Sequence, residues 1–467
     1  MSKQSLLDAD RRHLIHPVVS FRAHEQQGAT LLESGHGVYL RDIDGNELLD
    51  AFAGLWCVNV GYGQQSVVDA ASAQMAKLAY ATGYFHFGSA PAAQLAEKLV
   101  SIAPRSLQHV YFSLGGSDAV DAALRFITHY CNVTGRPEKK HFISLERGYH
   151  GSSSIGAGLT AIASFHRGFD VPLPTQHYLP SPYAYRDPLG RDGQALIAAS
   201  VAALEAKVAE LGGSDHVAAF FCEPIQGSGG VIVPPVGWLK AMRDACRRLD
   251  ILFVADEVIT GFGRTGPMFA CEAEHVEPDM MTIAKGLTAG YAPMGAVLMS
   301  DAIYQAIADG EQGQVVGHGQ TYSAHPVSAA VALEVIRLYE DGLIANGQAV
   351  AHAFGAGLDS LLDHPLVGDS RHRGLLGALE LVADKTSKAR FDPSLRLADK
   401  ISAAAYRNGV IFRAFADNIL GFAPALCFTE QDVALMVERV RATLDEVLAD
   451  DAVSAARRAA LGARKAA

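Results

Sequence analysis

The sequence has no apolar run approaching the ~20 residues that cross a bilayer, and its opening, MSKQSLLDADRRHLIHP, holds no apolar stretch of signal-peptide length. Both absences point to a cytosolic chain with no membrane partner. Lys and Arg are nowhere packed into a dense block, and the formal charge at pH 7 is -11. Affinity for nucleic acid comes from cations that neutralise phosphates, so nucleic acid is not the expected partner. Six cysteines, Cys57, Cys131, Cys222, Cys246, Cys271 and Cys427, form no C-x-x-C and have no histidines at zinc-finger distances. They read as reduced, mostly buried thiols. H-E-x-x-H is missing from a chain with 18 histidines, and His13 and His16 of HLIH lie in a polar segment without nearby acids. No metal site is expected.

No repeat or low-complexity block appears either. What is present is a chain of 467 residues, 49% hydrophobic, enough for a large core and roughly two to four domains. Short β-rich runs alternate with helical patterns: HVYFSL (109–114), HFISL (141–145), HVAAFFC (216–222), ILFVA (251–255), MMTIA (280–284) and GAVLMS (295–300) are separated by stretches such as SDAVDAALRFITHYCNVTG and GWLKAMRDACRRLD. That alternation predicts an α/β fold with a mostly parallel sheet covered by helices. The large domain is expected over 61–330, and a smaller α+β domain from the two flanks, 1–60 and 331–467. The Pro-rich stretch 171–190 reads as loop, and AARRAALGARKAA at the C-terminus as an exposed helix with a basic face.

ILFVADEVITGFGRTG (251–266) contains G-x-G-x-x-G, but no helix pattern or well-formed β-α-β unit follows it, so a dinucleotide fingerprint is not supported. The ionisable residues before the glycines are more informative. Three strands end at such groups: HVAAFFCEP at Glu223, ILFVADE at Asp256 and MMTIAKG at Lys285. In open α/β sheets ligands bind beyond the carboxyl ends of the strands, which brings the three toward one crevice. Either acid alone reads more readily as a cap on the helix or turn that follows. The lysine resists that explanation, because an unpaired ammonium at the end of a buried strand costs several kcal/mol.

A lysine so placed suits Schiff-base chemistry with an aldehyde such as pyridoxal phosphate, a cofactor that also needs an acid for its pyridinium nitrogen and a phosphate cradle. Asp256 meets the first need, with Glu257 expected on the other face. SLGGSDAVDAALRF places Gly115, Gly116 and Ser117 between a strand and a helix, where an anion is favoured; an ordinary Ser N-cap is the alternative. Tyr149 of ERGYHG is placed to stack on a flat ring, or else is a core tyrosine.

GGSDA, GYHG, EPIQGSGG, VADEVITGFGRTG, TIAKGL and GHGQTYSAHP, in this order, resemble the class III (fold type I) pyridoxal-phosphate aminotransferases over essentially the whole chain. The resemblance implies that Lys285 is the catalytic lysine joined to the cofactor and that Asp256 binds the pyridine nitrogen. It implies further that Tyr149 stacks on the ring, that Gly116 and Ser117 hold the phosphate, and that Glu223 and Val258 line the ring site. Thr321 would reach the phosphate in the neighbouring subunit, making the enzyme a homodimer or a dimer of dimers with shared sites.

AFAGLWCVNVGYG resembles the amine:pyruvate ω-aminotransferase subgroup, in which an aromatic matching Trp56 walls the substrate pocket and an arginine matching Arg413 binds the carboxylate of pyruvate or alanine. A guanidinium suits that task; a surface ion pair is the plainer reading of Arg413. Phe85 and Tyr322 are further pocket candidates. Glutamate-linked relatives carry EPIQGE or EPIQSE, where this chain has Ser228, which disfavours 2-oxoglutarate. The expected partners are therefore a small-molecule amine donor and pyruvate. The alternatives are an isomerase or decarboxylase on the same scaffold, or a 2-oxoglutarate-linked enzyme.

Overall fold

Seven strands make the central sheet of this computed structural model, which describes residues 2–190, 192–311 and 314–466. In chain order they are β1 (Leu107–Ser113), β2 (His141–Leu145), β3 (Gln176–Leu179), β4 (Val217–Cys222), β5 (Leu252–Asp256), β6 (Met280–Ile283) and β7 (Gly295–Ser300). They lie side by side as β1-β7-β6-β5-β4-β2-β3. Only β7 runs antiparallel to its neighbours, with Val297 opposite Tyr111 on one side and Thr282 on the other. The fold is α/β with a mostly parallel sheet, as the alternation implies.

Strands β4 and β6 are buried at every position, as a sheet covered on both faces requires. Successive side chains feed two cores. Phe220, Cys222, Phe253 and Ala255 pack on one face with Trp238 and Met242 of the helix Trp238–Arg248. Phe221, Val254 and Met280 pack on the other with Ala119, Val120 and Ala123 of the helix Gly116–Val133. With both faces filled, the strand ends are where side chains are free for chemistry.

The stretch 171–190 is not loop throughout. Its residues 176–179 form β3, parallel to β2 with Phe142 opposite Gln176 and Leu145 opposite Leu179. Pro174 and Pro180 bracket only four residues, and an edge strand tolerates prolines at its ends because one side needs no ladder partner.

The two ends of the chain meet in a four-stranded sheet of Leu32–His36, Tyr39–Asp42, Glu47–Asp50 and Val410–Ile411, where Leu49 lies opposite Val410 in parallel. Another sheet joins Val367–Arg373, Leu376–Leu381, Ile419–Phe422 and, at its edge, Arg413–Ala414. The last helix is Asp451–Ala466. The side chains of 463–466 and all of Ala467 lie outside the described residues, and with them part of the expected basic face. No helix among the described residues is long and apolar enough to cross a membrane.

Candidate active site

Glu223 follows β4, Asp256 ends β5 and Lys285 lies just beyond β6, and all three line one cavity of about 120 Å³. Gly116, Ser117, Tyr149 and Val258 line it too, so seven of the sequence-derived candidates share one wall. The glycines of 261–266 lie in turns, with no helix opening from them. Glu257 points away, accepting hydrogen bonds from the backbone N–H of Ala270 (3.0 Å) and Cys271 (2.8 Å).

Lys285 has φ 41°, a left-handed conformation that costs a residue with a Cβ and that persists at sites the surrounding structure over-determines. Burial pulls its ammonium below the ordinary lysine range, opposed by the carboxylates of Asp256 and Glu223. Asp256 is buried: its Oδ2 lies 2.8 Å from His150 Nδ1, and its Oδ1 accepts from the Val258 N–H at 3.2 Å. Burial opposes the charged form of His150, but the hydrogen bond and charge of Asp256 outweigh it and the imidazole titrates above its usual value. His150 Nε2 is buried with no hydrogen-bond partner among the described residues.

Glu223 accepts from the backbone N–H of Tyr149 (3.0 Å) and of Gly227 (2.8 Å). Burial, reinforced by Asp256, pushes its carboxyl from 4.5 to about 7. A raised acid is protonated more readily in the folded than in the unfolded chain. Its contribution to stability is therefore complete below pH 4.5 and is lost as pH rises through about 7. In cofactor-free protein, Glu223→Gln is expected to flatten the fall of Tm between about pH 5 and 8. Parallel Tm profiles for the variant and wild type would mean that Glu223 ionises without penalty.

The helix Gly116–Val133 starts at Gly115 with no side-chain cap, which leaves its first N–H groups facing the cavity without a side-chain acceptor. Ser117 is not the N-cap; its Oγ accepts from the Ser152 N–H at 3.2 Å and ties the helix to the 151–153 loop. A Cβ on Gly151 would come within 2.8 Å of Ser117 Cα, and one on Gly116 within 3.0 Å of Val258 Cγ1. Glycine keeps this concave backbone close enough to hold an anion. An uncapped helix start, a buried carboxylate and a lysine with a lowered pKa fit pyridoxal phosphate.

Trp56, buried and with φ 58°, sets its ring 5.2 Å from Lys285 Nζ. Its ring stacks at 6.4 Å on Phe415, and the Arg413 guanidinium lies 5.4 Å over Phe415. Arg413 is exposed at the surface, yet partial desolvation lowers its pKa, with no carboxylate among the causes. In the same segment Asp417 pairs with Arg147, which also donates to the Gly229 carbonyl (2.8 Å from Nε). Thr321, Phe85 and Tyr322 stay outside the cavity of their own chain. Phe85 is 81% and Tyr322 56% exposed, Thr321 is exposed, and its carbonyl accepts from Tyr80 Oη at 2.9 Å.

Sequence reasoning missed His150, Gly151, Val120 and Ile259 on the cavity wall. His150 had a usable signal: it adjoins Tyr149 in GYHG, and an imidazole beside a buried strand end needs an acid partner such as Asp256.

The Aminotransferase class-III family model matches residues 21–444. A putrescine--pyruvate aminotransferase of Pseudomonas aeruginosa is 40% identical, covering 94% of this chain and 95% of its own. A diaminobutyrate--2-oxoglutarate transaminase of Halomonas elongata is 37% identical, covering 95% and 96%. Among solved structures, the omega transaminase of Pseudomonas jessenii in complex with PMP superposes with a TM-score of 0.92 at 36% identity, covering 95% of this chain and 98% of its own. The cavity and the likeness along nearly the whole chain lead to one conclusion: this protein is a class III aminotransferase of fold type I and works with pyridoxal phosphate.

Proposed function

We propose that the enzyme moves an amino group from a primary amine or ω-amino acid to pyruvate, giving an aldehyde or ketone and L-alanine. The observation that carries this reading is the aromatic wall from Lys285 through Trp56 and Phe415 to Arg413. Its buried apolar rings stand beside the lysine, and at its far end is a guanidinium that forms no ion pair with any described residue. Ser228 supplies no charge to mask that arginine. A fixed arginine facing an uncharged amine would be an unpaired buried charge, costing about 3–5 kcal/mol. On an edge strand with its side chain exposed, Arg413 can turn to solvent instead.

In this reading Gly116 and Ser117 hold the phosphate, Tyr149 lies against the ring, Asp256 faces its nitrogen, and Glu223 and Val258 complete the wall. Pyridoxal phosphate, when bound, supplies the electron sink and carries the nitrogen between the two substrates. Lys285, as a free amine, takes the proton from the donor carbon that bears nitrogen, and in the second half-reaction it delivers one to Cα of alanine. Trp56 and Phe415 exclude water from one side of the reacting carbon, and Arg413 orients the keto acid through its carboxylate. Phe85, Phe87, Thr321 and Tyr322 are exposed on adjoining segments, with Tyr80 packed on Tyr322 at 5.9 Å. An aromatic patch of this kind supports a homodimer in which these residues complete the partner's site. The meeting of the chain ends at Leu49 and Val410 supports a smaller domain from 1–60 and 331–467 beside a large one at 61–330.

The relative named for putrescine and pyruvate supports this acceptor, and the one named for 2-oxoglutarate supports the rival. The test is a comparison of acceptors. Pyruvate is expected to exceed 2-oxoglutarate by at least about tenfold in kcat/KM, about 1.4 kcal/mol. Arg413→Ala should raise KM for pyruvate or alanine more than for a plain arylalkylamine. Equal use of the two keto acids, or a variant indifferent to pyruvate, removes the acceptor and the arginine's role. Failure to form alanine from pyruvate and any amine would favour an isomerase or decarboxylase.

A further inference from the structure

The helices Lys3–His13 and Phe21–Gln27 have no apolar core between them. The buried residue of the first is Asp10 and that of the second is His24, while Leu14, Ile15, Val18 and Phe21 are exposed. Helices this short are marginal unless packing or another tie supports them. One long contact, from Arg11 Nη2 to the Gln27 carbonyl at 3.5 Å, joins their ends. Among the described residues the remaining tie is polar, beside a ring contact between His16 and His24 with centroids 4.5 Å apart. It also corrects the expectation that the histidines here have no nearby acid: Asp10 Oδ1 lies 2.9 Å from His16 Nε2, and Asp10 Oδ2 lies 3.3 Å from His24 Nε2. His13 takes no part in this cluster.

As a hydrogen-bonded cluster the arrangement is incomplete. Among the described residues His24 Nε2 meets hydrogen-bond geometry only toward the Asp10 carbonyl, at 3.4 Å, and Asp10 Oδ2 is buried without a hydrogen-bond partner although the residue is 8% exposed. As a ligand set it is well formed. The three donor atoms lie within 4.8 Å of one another, and zinc at 2.0–2.1 Å from nitrogen and oxygen ligands sets tetrahedral ligand atoms about 3.3 Å apart. Two imidazoles and a carboxylate suit a divalent first-row ion. The His16 side chain, 28% exposed, leaves an approach and room for a water as fourth ligand.

We propose that Asp10, His16 and His24 bind a divalent transition-metal ion, zinc above all, which clamps the two N-terminal helices together. The ion satisfies Oδ2 and replaces the apolar core the pair lacks. Its ligands, spaced D-x5-H-x7-H, fall within one short segment, so closing the site orders few residues. It is remote in role from the transfer reaction, and its effect is on the order of the N-terminal segment.

The test uses holoenzyme stripped with a chelator, desalted and titrated with Zn²⁺ against a chromophoric competitor. One Zn²⁺ per chain is expected. Because even outer-shell changes around a metal cost about 10- to 100-fold in affinity, His16→Gln should weaken binding at least about tenfold and His16→Gln with His24→Gln should abolish it. Glutamine keeps a polar side chain, and the cofactor's visible absorbance checks that each variant is folded. Zn²⁺ should also slow tryptic cleavage after Arg11, Arg12 and Arg22 in the wild type but not in the double variant. No stoichiometric binding by the wild type, or equal affinity in the variants, overturns the proposal.

Discussion

Lys285→Ala is expected to abolish turnover, with a loss of at least about four orders of magnitude in kcat, because in the proposed reaction one side chain serves as covalent anchor and proton carrier. Lys285 is the only amine on the cavity wall, and burial has already lowered the affinity of its nitrogen for a proton. The wild type should absorb in the visible with its cofactor resistant to gel filtration, whereas the alanine variant should release the cofactor reversibly. Alanine at φ 41° keeps the backbone strain, so Lys285→Gly separates the two contributions: it should gain stability over the alanine variant and remain equally inactive. Near wild-type transfer by either variant would remove Lys285 from the chemistry.

The strands and the three ionisable ends were legible because a parallel sheet buries both faces. Continuous apolar runs such as VAAFFC are then followed by the first residue able to do chemistry. Less legible was whatever depends on two distant segments at once. Nothing local marks QHYL as a strand; it pairs only because β2 offers it an edge. His150 gains its meaning from Asp256, 106 residues away. Asp10 and His24 are buried and lie against His16 and each other, although composition marks that stretch as polar. Thr321 and Phe85 stand apart from the cavity of their own chain, so their roles rest on the resemblance and on the dimer proposed above.

Asp256→Asn carries the second large expectation. The substitution preserves shape and removes charge, so it isolates the electrostatic part of the site. In the native arrangement Oδ1 is fixed by the Val258 N–H and Oδ2 by His150, which leaves the carboxylate one orientation toward the cavity it lines. With asparagine, His150 loses the charge of Asp256 that helps raise its pKa, and burial is then opposed by the charge of Glu223. A neutral amide also gives a cationic ring nitrogen no countercharge. Removing one partner of a buried ionic pair costs about 3–5 kcal/mol, or about a hundred- to several-thousand-fold in rate if the loss falls on the transition state. The fall should appear in kcat for every donor and acceptor alike, because the ring is common to all of them, in contrast to the carboxylate-specific effect of Arg413→Ala. His150→Gln should give a smaller loss in the same direction, since Asp256 then keeps its charge and its Val258 contact but loses the partner on Oδ2. An Asp256→Asn enzyme within threefold of wild-type kcat, or one impaired only toward pyruvate, would show that the charge at the end of β5 does not act on the ring.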